Sequence, residues 1–254
     1  MLDKSQLSHS VSQQNMDAQE IARFDALANA WWDPKGRYKT SLAFNAVRVD
    51  YIVNTLKRHF KPKGAADRLL TGLSVLDVGS GGGLICEPLA KRGAKVTGID
   101  ASGVSVEVAR HHAALNELTI DYHHTLAAQW AAKGYQYDVV INAEVVEHVP
   151  CQQQLIKECA SMVKPGGLLI LATLNRTVRS YFVAIVGAEY VMGYLPVGTH
   201  KWSKFVKPQE LEQWLGGAFV QQHSTGFSLN PLRGRWRASR SKAVNYMASF
   251  KHSA

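Results

Sequence analysis

Val75-Leu76-Asp77-Val78-Gly79-Ser80-Gly81-Gly82-Gly83, followed by Val96-Thr97-Gly98-Ile99-Asp100, decides the fold of this chain. The first stretch reads as a buried strand with a glycine-rich turn at its carboxyl end, and the second as a strand closing on a carboxylate. In an open α/β sheet, ligands sit outside the carboxyl ends of the strands, at the point where strand order reverses. The pattern is therefore that of a nucleotide-cofactor site. Glycine spacing selects the nucleotide. The dinucleotide fingerprint G-x-G-x-x-G, counted from Gly79, requires a third glycine where Leu84 stands, so that reading fails. D-x-G-x-G-x-G remains, with Asp77, Gly79, Gly81 and Gly83 in register.

Each residue type has a physical reason. A tight turn packed under an amino-acid-plus-nucleoside ligand leaves no room for a Cβ, and it needs positive φ, which glycine adopts freely. Asp77, late in its strand, is placed to orient the N–H groups of the turn or to pair with an ammonium. Asp100 ends the next strand, where an acceptor takes both ribose hydroxyls. Two nearby carboxylates repel a diphosphate but tolerate a cationic sulfonium nucleoside, which points to S-adenosylmethionine. The alternative is a structural βα-turn beside an unrelated acid.

A length of 254 residues suits one α/β domain with additions. Cys86, Cys151 and Cys159 form no C-x-x-C pair, which argues against a disulfide framework and a zinc site and suits a reducing compartment. The first twenty residues are polar, so no secretory signal is expected, and Asp3, Asp17 and little arginine make a poor transit peptide. The net charge of +9 favours anionic partners, whether nucleic acid, anionic lipid or an acidic substrate. It concentrates at Arg233, Arg235, Arg237, Arg240 and Lys242 around Trp236, a solvated hairpin or a binding surface.

Residues 1–16 are Ser/Gln-rich and expected to be disordered; residues 17–254 read as a single domain. Helical spacing predicts a cover over 17–60, with helices at Asp17–Ala30 and Asn45–Phe60. From Leu73, strands are expected at 73–78, 95–99, 119–123, 137–142 and 168–173. Helices are expected at 83–92, 103–115, 126–132 and 151–162. This alternation predicts a Rossmann-like parallel sheet, seven-stranded, with helices on both faces. Lys164-Pro165-Gly166-Gly167 is a turn before the fifth strand. Tyr181–Gly198 breaks the rhythm; too interrupted to span a bilayer, it reads as an apolar lid or interfacial insertion over 181–206, or as an ordinary buried insertion. A helix at Gln209–Leu215 and strands near Val220–Thr225 and Val244–Phe250 then close the sheet, with an antiparallel strand at its edge.

Several motifs together resemble one family. They are Ala30-Trp31-Trp32-Asp33, Asn45-Ala46-Val47-Arg48, the glycine loop, Glu144-Val145-Val146-Glu147-His148-Val149, Val163-Lys164-Pro165-Gly166-Gly167, Gly198-Thr199-His200-Lys201-Trp202-Ser203-Lys204-Phe205, Asn230-Pro231 and Asn245-Tyr246. In that order they look like the class I methyltransferase that performs the O-methylations of ubiquinone biosynthesis. Ser80 departs from the family's usual cysteine. His124-Thr125-Leu126, after the third strand, offers no acidic partner for adenine.

The resemblance implies cofactor contacts from Arg48, Gly79, Asp100 and Ala143, beside the loop's own Asp77 and Gly81. It implies that Glu144, Glu147 and His148 bind a divalent cation, Mg²⁺, that lowers the pKa of a catechol. Read alone, Glu-x-x-Glu-His equally suits acids at a helix start beside a packed histidine. Glu144 and His148 are candidate catalytic groups, with His200 a second-choice base. The implied substrate is a polyprenyl catechol or demethylubiquinol whose tail stays in the bilayer. An anionic membrane surface and other ubiquinone-biosynthesis proteins are then the expected partners, with no nucleic acid. The implied location is the cytoplasmic face of a bacterial inner membrane, or the matrix side of a mitochondrial one. A class I methyltransferase acting on RNA is the nearest rival, and a non-catalytic lipid- or nucleic-acid-binding module a more distant one.

Overall fold

The structure, a computed structural model, describes residues 15–27, 32, 39–62, 65, 68–183, 201–230 and 234–253. Five parallel strands form its centre: β1 (Ser74–Val78), β2 (Lys95–Asp100), β3 (Asp121–His124), β4 (Tyr137–Ala143) and β5 (Val163–Leu174). Three more follow: β6 (Phe219–Asn230), β7 (Arg235–Ser239) and β8 (Asn245–His252). The strand order is β3-β2-β1-β4-β5-β8-β6-β7, eight strands rather than the seven expected. The additional one is β7, formed by the basic stretch around Trp236.

The antiparallel strand at the edge is β7, and β8 lies inside the sheet. β8 lies between β5 and β6, antiparallel to both. Its first six residues, Asn245 to Phe250, are all buried, as a strand with neighbours on both sides and layers on both faces must be. β7 is largely exposed and takes the edge, where its arginines stand in water.

Alternate residues of the central strands feed two cores. Val75, Val139, Ile141 and Ile170 pack on one face against Ile52, Leu56, Leu89 and Val106. Leu76, Val78, Val140 and Leu171 pack on the other against Trp130, Ile156, Leu211 and Tyr246. The helices are α1 (Ala18–Leu27), α2 (Lys39–Phe60), α3 (Cys86–Ala90), α4 (Gly103–Leu115), α5 (Ala127–Ala131), α6 (Gln152–Ser161) and α7 (Pro208–Leu215); α2 to α7 supply the helical residues of those cores, and β8 supplies Tyr246. α2 begins six residues before the expected Asn45. α3 is shorter than 83–92 because Gly83 has φ +85°, outside any right-handed helix. Most of the apolar insertion, residues 184–200, lies outside the described residues, as do residues 1–14. No described helix is long and apolar enough to cross a membrane.

Candidate active site

The glycine turn joins β1 to α3 at the carboxyl edge of the sheet. Gly79, Gly81 and Gly83 have φ of +78°, +51° and +85°. Two of them are also sterically obligatory. A Cβ on Gly79 would lie 2.3 Å from Cγ2 of Val145, and one on Gly83 would lie 2.2 Å from the Tyr122 hydroxyl. Asp100 holds the turn from β2. Its Oδ2 accepts from Gly81 N at 2.8 Å and its Oδ1 from Ser102 N at 2.8 Å. Each carboxylate oxygen accepts more than one hydrogen bond, so acceptor capacity remains for a pair of ribose hydroxyls.

The turn opens into a cavity of about 760 Å³, within the size range of small-molecule and cofactor sites. Asp77 lines it, buried, with Oδ2 accepting from the Cys86 thiol at 3.3 Å. Burial pushes the Asp77 carboxyl up to about 7, against the pull of the Cys86 thiol, with the Asp100 charge adding to the rise and Arg48 opposing it. The sign follows by linkage. A raised carboxylate pKa stabilises the fold fully below the unfolded-state value, and that contribution is lost as pH rises through the folded value. Asp77→Asn has no such charge. Its stability relative to the parent, measured by urea unfolding without cofactor, should therefore increase between about pH 4 and 7 and level off above.

Arg48 and Glu144 line the same cavity. Arg48, on α2, donates from Nη2 to Asn45 Oδ1 at 3.1 Å, lies over the Phe44 ring at 4.7 Å, and faces Glu144 Oε1 at 3.8 Å. Its buried Nε has no hydrogen-bond partner. Such a guanidinium suits the carboxylate of an amino-acid moiety. Ala143, half-buried at the end of β4, lines the same cavity. Glu144 follows it with φ +59°, and among the described non-glycine residues at positive φ only Glu144 lines the cavity. That backbone is strained by about 1–3 kcal/mol, and it separates Glu144 from the turn that follows.

That turn overturns the expected three-residue metal set. Val146–His148 is a single 3₁₀ turn. It buries Glu147, whose Oε2 accepts from Thr173 Oγ1 at 2.9 Å, whereas His148 Nδ1 meets Glu20 Oε2 of α1 at 2.8 Å. Among the described residues no three His, Cys, Asp or Glu side chains converge to hold a metal. Two carboxylates do interact: burial first, then the charge of Glu144, pushes the Glu147 carboxyl well above its ordinary value. Glu147 Oε1 is buried without a hydrogen-bond partner. His200 lies outside the described residues.

The first helix of the expected N-terminal cover is α1; what the sequence does not identify is how α1 is fastened and which rings line the cavity. α1 crosses the cavity and is tied to both banks. Asp25 accepts from Ser102 Oγ beside Asp100, Glu20 meets His148, and Asn15 exchanges hydrogen bonds of 2.9 and 2.7 Å with the backbone of Cys151. Part of the lining is aromatic: Phe44 packs on Trp236 with ring centres 4.4 Å apart and on Phe227 at 5.4 Å. These rings come from α2, β6 and β7, which only the folded sheet brings together. Past β3 the cavity reaches Thr125 and Leu126.

A family profile described as a methyltransferase domain matches residues 54–239. A ubiquinone biosynthesis O-methyltransferase of Chelativorans sp. (strain BNC1) is 46% identical over 233 residues, covering 91% of this chain and 92% of that protein. One from Parvibaculum lavamentivorans is 46% identical over 92% of this chain and 93% of its own length. The fold is similar to that of magnesium protoporphyrin IX methyltransferase (ChlM) from Synechocystis PCC 6803 with bound SAH, with a TM-score of 0.60 and 24% identity over 83% of this chain and 84% of that one. With D-x-G-x-G-x-G folded against Asp100 and relatives matched over nearly their whole length, the chain belongs to the ubiquinone biosynthesis O-methyltransferase family.

Proposed function

We propose that this protein transfers a methyl group from S-adenosylmethionine to phenol or catechol hydroxyls of polyprenylated ubiquinone precursors. The observation that carries the reading is one continuous cavity. Its lining includes the Asp100-fastened glycine turn, Glu144, and the rings of Phe44, Phe227 and Trp236. The acceptor oxygen attacks the sulfonium methyl in line; the O–C bond forms as the C–S bond breaks, and S-adenosylhomocysteine leaves. Asp100 holds the ribose, Asp77 and Arg48 the amino-acid moiety, and Phe44, Phe227 and Trp236 the acceptor ring. Alignment of this kind contributes ~7–11 kcal/mol in well-oriented reactions. Glu144 takes the hydroxyl proton, and His148, held by Glu20, is the neighbouring alternative.

The magnesium ion implied by the family resemblance is a separate element of the proposal. Glu144 and Glu147 are the side chains that would hold it, supported by the unpartnered Glu147 Oε1 and the mutual repulsion of the two carboxylates. The chemistry such a cation would supply there is Lewis-acid polarisation of a catechol oxygen.

Membrane association is proposed on two features. Val178, Phe182 and Val183 are exposed apolar side chains, and Val183 lines the cavity mouth. Arg235, Arg237 and Arg240 are exposed on or beside the edge strand. Apolar insertion plus charge attraction is how peripheral proteins bind anionic lipid. The corresponding location is the cytoplasmic face of a bacterial inner membrane.

One assay tests the whole reading. Transfer of radiolabelled methyl is measured to a short-chain prenyl catechol, to unprenylated catechol and to RNA. The prenyl catechol is run in anionic and in neutral vesicles, before and after chelation and with Mg²⁺ restored. The expected result is preference for prenyl catechol in anionic vesicles, weakened by salt and by chelation. Methylation of RNA alone overturns the substrate, and a chelation-insensitive rate overturns the cation.

A further inference from the structure

The segment after α1 contributes a residue that touches the glycine turn from outside. Trp32 Nε1 donates to the carbonyl of Gly82 at 2.8 Å. Its ring lies flat on His112 of α4, with centres 3.6 Å apart and planes within 7°. His112 is itself fixed: Nδ1 meets Glu87 Oε1 at 2.5 Å, and Glu87, 1% exposed, sits on α3 directly after the turn. The indole is thus referenced to both helices that flank the turn, and its N–H reaches the turn's middle peptide.

Gly81, Gly82 and Gly83 are consecutive, and a run of glycines loses more backbone freedom on ordering than any other. A cofactor that orders this turn itself would bind more weakly by that amount; a turn held beforehand does not impose the loss. Asp100 fixes the Gly81 amide from the sheet side. Nothing in β1 or β2 reaches the Gly82 carbonyl; Trp32 does. We propose that Trp32 is a positioning residue for the cofactor site, a clamp that pre-orders the glycine turn through the Gly82 carbonyl, with the His112–Glu87 pair as its seat. The clamp acts on affinity for the donor and not on the methyl-transfer step, and it rests on the cofactor reading given above.

The test uses the full-length protein, with S-adenosylhomocysteine as the calorimetric probe and S-adenosylmethionine in the kinetic assay. Trp32→Phe keeps an aromatic ring for His112 and loses only the N–H. It should weaken S-adenosylhomocysteine binding and raise KM for S-adenosylmethionine about fivefold to tenfold, the scale of one neutral hydrogen bond. At saturating donor, kcat should fall less than about twofold, because the bond acts before the transition state. His112→Ala, which leaves the indole but removes its seat, should shift binding in the same direction. Should Trp32→Phe fold poorly, His112→Ala still decides the matter. Parent-like binding in a folded Trp32→Phe, or a fall in kcat with KM unchanged, overturns the clamp. Failure of the parent to bind S-adenosylhomocysteine would instead remove the cofactor reading beneath it.

Discussion

Asp100→Asn should lose cofactor affinity by about 100-fold or more, measured by calorimetry with S-adenosylhomocysteine. Two effects combine. Hydrogen bonds to a charged acceptor are each worth ~1.5–3 kcal/mol, and under the proposed ribose-binding role replacing the carboxylate would remove that strength from both hydroxyls; every 1.4 kcal/mol is tenfold. The turn also suffers. Each Asp100 oxygen already accepts a backbone N–H, from Gly81 and from Ser102. Whichever way the asparagine amide is turned, its NH₂ faces one of those donors. Affinity within threefold of the parent would remove Asp100 from the site.

The second large effect is expected at Gly79. Gly79→Ala places a methyl on a residue at φ +78° and 2.3 Å from Val145 Cγ2. The backbone contribution is ~1–2 kcal/mol and the overpacking ~1–3 kcal/mol. Urea unfolding should therefore show a loss of ~2–5 kcal/mol, accompanied by loss of cofactor binding. Val145→Ala in the same chain removes the struck methyls and should recover the packing part only. A double-mutant cycle that gave no coupling would mean that the turn and the end of β4 are independent. The expected coupling ties donor binding to the segment that carries Glu144.

What the sequence made legible, and what it did not, follows from the range of the interactions. The five parallel strands and the D-x-G-x-G-x-G turn are local patterns: an apolar run, a turn chemistry and a carboxylate at a strand end. The first four strands lie within two residues of the expected bounds, whereas β5 begins at Val163, so Lys164–Gly167, read as a turn, belongs to the strand where its register against β4 shifts. The three-ligand set over Glu144–His148, implied by the family resemblance, needs all three side chains on one side of a turn. The backbone instead reverses at Glu144 and tightens to 3₁₀, turning Glu147 toward Thr173 and His148 toward Glu20. No spacing rule encodes a partner 128 positions away. Trp236 was grouped by charge with its arginine neighbours. The pleat sends its ring inward onto Phe44 while Arg235 and Arg237 point out, an alternation visible only once the stretch is a strand. The expectation of an antiparallel strand at the edge is met by β7, a strand the spacing does not separate from its hairpin, while β8, buried from Asn245 to Phe250, lies inside the sheet.

That placement of β8 bears on how the molecule assembles. β5 and β6 have no direct pairing and are joined only through β8. The strand that follows all the others in sequence order is thus the one that completes the sheet, and contacts of high sequence separation form slowly. Until β8 inserts, the hairpin bearing Phe227 and Trp236 has no fixed position relative to β1 and β2, whose pairing is local. The donor half of the pocket has the means to form first and the acceptor half to form last. A chain interrupted before residue 245 would keep the glycine turn and still lack a wall against which to hold the group to be methylated.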